Sequence, residues 1–271
     1  MLNFLYNNPL GKSIRPLFTN HTAGKIISCL YNSSLSRYFI PSFVKKYNIN
    51  MSDYKTPIDK YKTFNEFFCR ELKSEARPID TSPNTIISPA DGKILAVTNI
   101  SESTKFFVKD SPFLLSEFLQ DDSLASQYLN GTLIIIRLSP WNYHRFHFPL
   151  DCTPSTPFVI KKKLESVNPI AYKSGLQPLL LNTRHIITLS TDMCKNVLMI
   201  PVGALFVGSI KETYTPFKNF KKGDEAGYFA LGGSSIVLLF EKNIIKLTDS
   251  ISIQERNIKM GEPICSWTIK K

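Results

Sequence analysis

Three short segments of this 271-residue chain combine residue types that do chemistry. In Ser88-Pro89-Ala90-Asp91-Gly92-Lys93-Ile94 a carboxylate sits between proline and glycine turn residues. Asp91 there either bonds its own backbone or stands as a fixed charge. The segment from Leu138 to Pro149 carries His144 and His147, two of the chain's four histidines, among aromatics and between prolines. On a turn or short helix the two rings share a face, and in an extended segment they point to opposite sides. The third segment is Gly232-Gly233-Ser234-Ser235, set between Tyr228–Leu231 and the apolar run Ile236–Phe240. It reads as the glycine turn of a β-hairpin, or as a serine held rigidly beside a glycine that leaves the 233–234 carbonyl open and tolerates unusual backbone angles. Asp, His and Ser are the parts of a nucleophilic triad, in which serine attacks, imidazole takes its proton and carboxylate orients the imidazole. No Gly-x-Ser-x-Gly elbow surrounds Ser234.

These segments need elements to hold them. From Ile79 onward short β-branched runs broken by Pro, Gly and Asn predict a β-rich core. The strand candidates are 86–98, 131–138, 185–189, 197–207 and 228–240, with 114–129 a helix or loop excursion. Ahead of them Phe64, Phe67, Phe68 and Leu72 recur at helical spacing, with Thr63 and Glu66 placed as a capping box. The expected class is α+β: a mostly antiparallel β core with N-terminal amphipathic helices. The expected division is a basic, aromatic arm over residues 1–60, ended by Pro41 and the stretch 51–57, and a catalytic domain over 61–271.

Charge separates the two parts. Lys12, Arg15, Lys25, Arg37, Lys45 and Lys46 supply six of the net eleven positive charges, and the first fifty residues contain no Asp or Glu. Eight aromatics accompany them, including Tyr31, Phe39, Phe43 and Tyr47. Short amphipathic helices with cationic flanks suit an anionic membrane surface; an organelle transit segment or a helical cap on the core are the other readings. The aromatic, aliphatic surroundings speak against nucleic acid. Five scattered cysteines without a Cys-x-x-Cys exclude a disulfide framework or structural zinc. No apolar run reaches the ~18 residues that span a bilayer.

Taken together, the blocks resemble the phosphatidylserine decarboxylases, pyruvoyl-dependent enzymes that cleave their own chain. The matching residues run in the family's order: Phe64-Asn65-Glu66-Phe67-Phe68 with Arg70-Glu71-Leu72, Ala76-Arg77-Pro78-Ile79, Ser88–Gly92, Tyr143-His144-Arg145-Phe146-His147, Ser166-Val167-Asn168-Pro169, Val202-Gly203-Ala204, Val207-Gly208-Ser209-Ile210, and 222–240. Asn182-Thr183-Arg184 replaces the family's usual Asn-Glu-Arg, and Gly-Gly-Ser-Ser its common Leu-Gly-Ser-Thr; both forms keep the Gly-Ser bond.

The resemblance implies that Asp91, His147 and Ser234 form a self-cleaving triad, with Asp91 fixing the imidazole. Ser234 Oγ would attack the Gly233 carbonyl, and elimination from the resulting ester would leave chains 1–233 and 234–271 with a pyruvoyl group at position 234. That covalent cofactor would bind the amine of phosphatidylserine as a Schiff base and release CO2, giving phosphatidylethanolamine, with His144 returning the proton or holding the substrate carboxylate. The resemblance further implies a homodimer whose N-terminal helices lie on the membrane, a peripheral membrane protein of open organelle. Two rivals remain: a serine hydrolase using the same triad on an external ester, and a biotinyl- or lipoyl-type carrier, which lacks the modified-lysine tripeptide here.

Overall fold

The computed structural model describes residues 1–101, 113–192, 195–205 and 209–268. The chain begins with helices α1 (Leu2–Asn7), α2 (Pro9–Ile14), α3 (His21–Tyr31), α4 (Ile40–Tyr47) and α5 (Phe64–Phe68). Side-chain caps start most of them: Asn8 accepts from Leu10 and Gly11, Asn20 from Ala23, and Thr63 from Glu66. Pro41 does not end the arm. It occupies the first turn of α4, where a missing N–H costs nothing. The capping box forms in a shifted version, since the Glu66 carboxylate accepts from the Lys62 N–H at 2.7 Å. The helix it opens is shorter than the Phe64–Leu72 spacing predicts, because Leu72 leaves it to bridge Tyr54.

Strands β1 (Thr85–Ile87), β2 (Gly92–Thr98), β3 (Thr132–Leu138), β4 (Arg145–His147), β5 (Thr153–Pro154), β6 (Phe158–Ile160) and β7 (Arg184–Ser190) follow. Then come β8 (Asn196–Val202), β9 (Ser209–Glu212), β10 (Glu225–Ala230), β11 (Ser234–Phe240), β12 (Ile245–Leu247), β13 (Arg256–Ile258) and β14 (Pro263–Trp267). The intervening helices are α6 (Leu115–Leu119), α7 (Asp122–Tyr128), α8 (Pro169–Lys173) and α9 (Pro178–Leu181). The main sheet runs β13-β2-β3-β11-β8-β7-β5, with β6 also on β7; β4-β10-β9 and β1-β14-β12 form two smaller sheets. All these strand pairings are antiparallel, so the class is α+β with an antiparallel β core, as expected. The candidate strand 86–98 splits at the Ser88–Asp91 turn into β1 and β2, which join different sheets, and 197–207 ends as a strand at Val202. Residues 206–208 lie outside those described.

β11 is the centre of the main sheet. Ile236, Leu238 and Phe240 enter the core shared with the small sheets, while Val237 and Leu239 enter the core under α6, α7 and α9. Strand alternation sends them to opposite faces, and both faces are covered, so the run is apolar throughout. Each such side chain contributes about 1.5–3 kcal/mol on burial. The arm is packed onto this core at two places. Leu5 and Tyr6 of α1 cluster with Ala171 and Leu205, and Ile40 clusters with Phe64, Phe67, Phe68 and Leu231.

Candidate active site

The segment from Ala230 to Ser234 is not a hairpin turn. β10 pairs with β4 and β9, whereas β11 pairs with β3 and β8, so the glycines carry the chain from one sheet to another. Leu231 (φ 49°) and Gly232 (φ 112°) make the bend in the left-handed region. For a leucine that backbone costs on the order of 1–3 kcal/mol. Its side chain is 5 % exposed against the Phe64–Phe68 cluster, a burial of comparable size that offsets the strain. The conformational demand expected of Gly233 therefore falls on residues 231 and 232. A Cβ at 233 would meet only Val167 and the Leu138 carbonyl, at 3.4 and 3.6 Å, an ordinary contact.

Ser234 begins β11 opposite Leu138. It is fully buried, and its Oγ has no hydrogen-bond partner among the described residues. Such an orphan hydroxyl costs about 1–3 kcal/mol and calls for an explanation. His144 presents a second one. Its Nδ1 lies 2.9 Å from the Asn142 carbonyl, which can only accept, so Nδ1 carries the proton and Nε2 holds a free lone pair. Nε2 makes no hydrogen bond of normal geometry. The ring is wholly buried, packed 4.0 Å from the Phe68 ring. Burial drives its pKa down to about 3, against the pull of the Asn142 and Gly232 carbonyls, which keeps it neutral. The Gly232 contact places this ring beside the bend that leads into Ser234.

His147 is differently held. Its Nδ1 donates to the Gly223 carbonyl at 2.8 Å, and its Nε2 accepts from the Tyr143 hydroxyl at 3.0 Å. Burial raises the Tyr143 pKa, so that hydroxyl remains a donor, and burial also lowers the pKa of His147. Asp91 is gripped by Arg77 through Nη2–Oδ2 at 2.6 Å and Nε–Oδ1 at 3.0 Å, and it accepts the Met260 N–H at 2.9 Å. The direct bond from Asp91 to the imidazole that a triad expects is not among these contacts. Asp91 acts on His147 through its charge, and its loop is tied to His147 by the bond from the His147 N–H to the Pro89 carbonyl at 2.9 Å.

The two histidines thus face different surroundings, as an extended segment requires. Sequence reasoning assigned no role to Tyr143 or Phe68, which hold the two rings; their place inside the matching blocks was the available signal. The substituted Thr183 exchanges hydrogen bonds with the backbone of Lys162, at 2.9 and 3.0 Å, and lies 3.2 Å from His21 Nε2 at the start of α3. No group of three or more His, Cys, Asp or Glu side chains among the described residues converges to hold a metal.

A cavity of about 520 Å³ ends at Gly232 and Gly233. Leu138, Val167, Phe68 and Leu231 wall its buried part, and Phe39, Phe43, Tyr47 and Trp141 surround its outer part.

A family model for phosphatidylserine decarboxylase matches residues 64–266 of this chain. A phosphatidylserine decarboxylase proenzyme of Fusobacterium nucleatum is 43 % identical over 270 residues, covering 96 % of this chain and 89 % of the relative. Proenzymes of the same name from Clostridium perfringens and Chlamydia pneumoniae are 40 % and 39 % identical, covering 97 % and 95 % of this chain and 92 % and 85 % of their own lengths.

Proposed function

The chain belongs to the phosphatidylserine decarboxylase family and is a carboxy-lyase, and from that premise we propose that it is a proenzyme that cleaves itself between Gly233 and Ser234 and then decarboxylates phosphatidylserine to phosphatidylethanolamine. The observation that supports the reading is that Ser234 Oγ and His144 Nε2 are buried without hydrogen-bond partners among the described residues, where the bend at Leu231 and Gly232 leads from the cavity lining into β11.

The backbone strain at Leu231, whose bend Gly232 completes, favours attack of Ser234 Oγ on the Gly233 carbonyl. A histidine takes the hydroxyl proton and returns it to the departing Ser234 nitrogen, so that an ester replaces the peptide bond. Removal of the 234 α-proton expels the Gly233 carboxylate, and water then releases ammonia from the dehydroalanine to leave a pyruvoyl group. We assign the self-cleavage base to His147, oriented by Gly223 and Tyr143 and biased by the Asp91 charge, and the proton at the substrate α-carbon to His144. A pyruvoyl group at position 234 would supply an electrophilic carbonyl able to act as an electron sink for loss of CO2 from the bound amine substrate. Neutral His144 offers Nε2 as an acceptor, so it must first take up a proton there before returning one at the substrate α-carbon, and Phe68, Leu231 and Val167 exclude water around it. The 234–271 chain stays bound because β11 is the middle of the main sheet.

The arm supports a membrane partner. Leu10, Leu17, Ile26, Leu30, Leu35, Tyr38 and Phe39 are exposed beside Lys12, Lys25, Arg37 and Lys45, a pairing suited to an anionic bilayer surface. No helix among the described residues is long and apolar enough to cross a membrane.

Intact mass under denaturing conditions tests the reading. Chains of 233 and 38 residues are expected, the smaller with a blocked, carbonyl-reactive terminus, and Ser234→Ala should remain whole. A folded wild type that stays one unmodified chain would leave a hydrolase or an inactive relative in its place.

A further inference from the structure

The cavity that ends at Gly233 is lined by aromatic and aliphatic side chains, the polar Ser42, Ser139, Ser166 and Asn168, two basic ones, Lys46 and Arg137, and no acidic one. Arg137 is already neutralised, since Glu255 accepts from its Nε and Nη2 at 2.9 and 2.8 Å. Lys46 is in the last turn of α4 and has no acidic partner among the described residues. Its Nζ lies 5.2 Å from the Tyr47 ring centre, and Tyr47 in turn stacks on Trp141 at 4.7 Å and 16°. Trp141 is 41 % exposed and Lys46 is exposed, whereas Gly233 is half-buried and Ser234 after it fully buried. The cation thus stands at the mouth of the cavity whose floor is the reacting bond.

We propose that Lys46 is a specificity-determining residue that binds the phosphodiester of the incoming lipid headgroup, with the Tyr47–Trp141 stack forming the apolar rim against which the glycerol lies. This rests on the proposed decarboxylase reading and adds to it the residue that selects an anionic diester. The substrate must offer its amine to position 234 while its phosphate, a few bonds further out, stays on the bilayer side. A negative group leaving water at an apolar rim needs a cation there, and Lys46 is the basic side chain of the lining with no acidic partner among the described residues. The point charge of a lysine on a flexible stem can follow the phosphate as the lipid settles.

Binding is read in the full-length Ser234→Ala protein, which does no chemistry, by the fluorescence of Trp141 as monomeric short-chain phosphatidylserine is added below its micelle concentration. Lys46→Gln should weaken binding about 5-fold or more and flatten its dependence on ionic strength. Lys62→Gln, at an exposed lysine outside the cavity lining, should bind like the parent. In the self-cleaved enzyme Lys46→Gln should raise KM for the same monomer by a similar factor and change kcat less than 2-fold or so. An unchanged dissociation constant in Lys46→Gln overturns the proposal, as does an equal loss in Lys62→Gln, which would reduce the effect to general surface charge. A wild type that never splits at Gly233–Ser234 overturns the decarboxylase reading instead, while the binding comparison still decides Lys46.

Discussion

His144 and His147 are three residues apart, both buried and both held neutral by burial, yet their hydrogen-bond states are opposite. Both ring nitrogens of His147 are engaged, by Gly223 and Tyr143. One nitrogen of His144 makes no hydrogen bond, and Ser234 Oγ is likewise unpartnered among the described residues. A fully satisfied buried ring is rigid and costs little to keep. A half-satisfied one costs on the order of 1–3 kcal/mol, and such a cost marks a place kept for something other than stability. The difference teaches that two neighbouring histidines can be prepared differently, His147 fixed in place by two partners and His144 left with one nitrogen unbonded.

The sharpest way to break this comparison is to remove each ring. Both His144→Ala and His147→Ala should lose decarboxylation by about 10²-fold or more. On denaturing mass analysis His147→Ala should remain a single chain, whereas His144→Ala should still split. The reverse pattern would transfer the cleavage step to His144, whose free nitrogen already lies beside the Gly232 carbonyl. Asp91→Asn comes next. It leaves Arg77 as a buried cation held by Asp53 alone, which should cost about 3–5 kcal/mol in denaturant unfolding and slow self-cleavage. A variant that folds with parental stability would show that the Arg77–Asp91 pair does not support the turn.

Acid should sharpen the contrast further. Burial holds both rings below their ordinary 6.5, His144 at about 3. The unfolded chain therefore binds protons at these rings in a range where the folded chain does not. Their contribution to stability is intact above pH 6.5 and is lost as the pH falls toward the folded values. The unfolding midpoint should drop steadily below pH 6.5, and less steeply in His144→Leu than in the wild type. Equal slopes would show that the ring is not held neutral. The smallest effect belongs to Tyr143→Phe, which removes one hydroxyl donor from His147 Nε2 at about 1 kcal/mol. It should slow chain splitting several-fold without stopping it, and time-resolved mass analysis would show whether the rate is unchanged.

Much of this was legible in order along the chain. The run Ile236–Phe240 announces a strand covered on both faces, Thr63 and Glu66 announce a helix start, and the blocks around Asp91, His144, His147 and Ser234 point to the family. Other readings failed for local reasons. Tyr228–Phe240 resembles a hairpin because a glycine pair is the usual hairpin signal, but hydrogen bonding to β3 and β8 pulls the second arm into another sheet. Residues 86–98 look continuous because Pro89 and Gly92 reveal a turn without revealing that its two sides part company. Pro41 looks like a stop because the penalty for proline vanishes only in a first turn, and where a turn begins depends on what packs against it.

By itself, then, the sequence determined which segments must be buried and which side chains are able to react, since periodicity, capping and residue chemistry are local properties. Only the tertiary structure decided which histidine is satisfied and which is free, where Asp91 spends its charge, and that a strained leucine rather than Gly233 makes the bend. The physical reason is distance along the chain. The Gly223 carbonyl that locks His147 is 76 residues from it, and the Met260 N–H that turns Asp91 away is 169 residues off. No window of sequence contains both partners, and only the packed sheets bring them within hydrogen-bond reach.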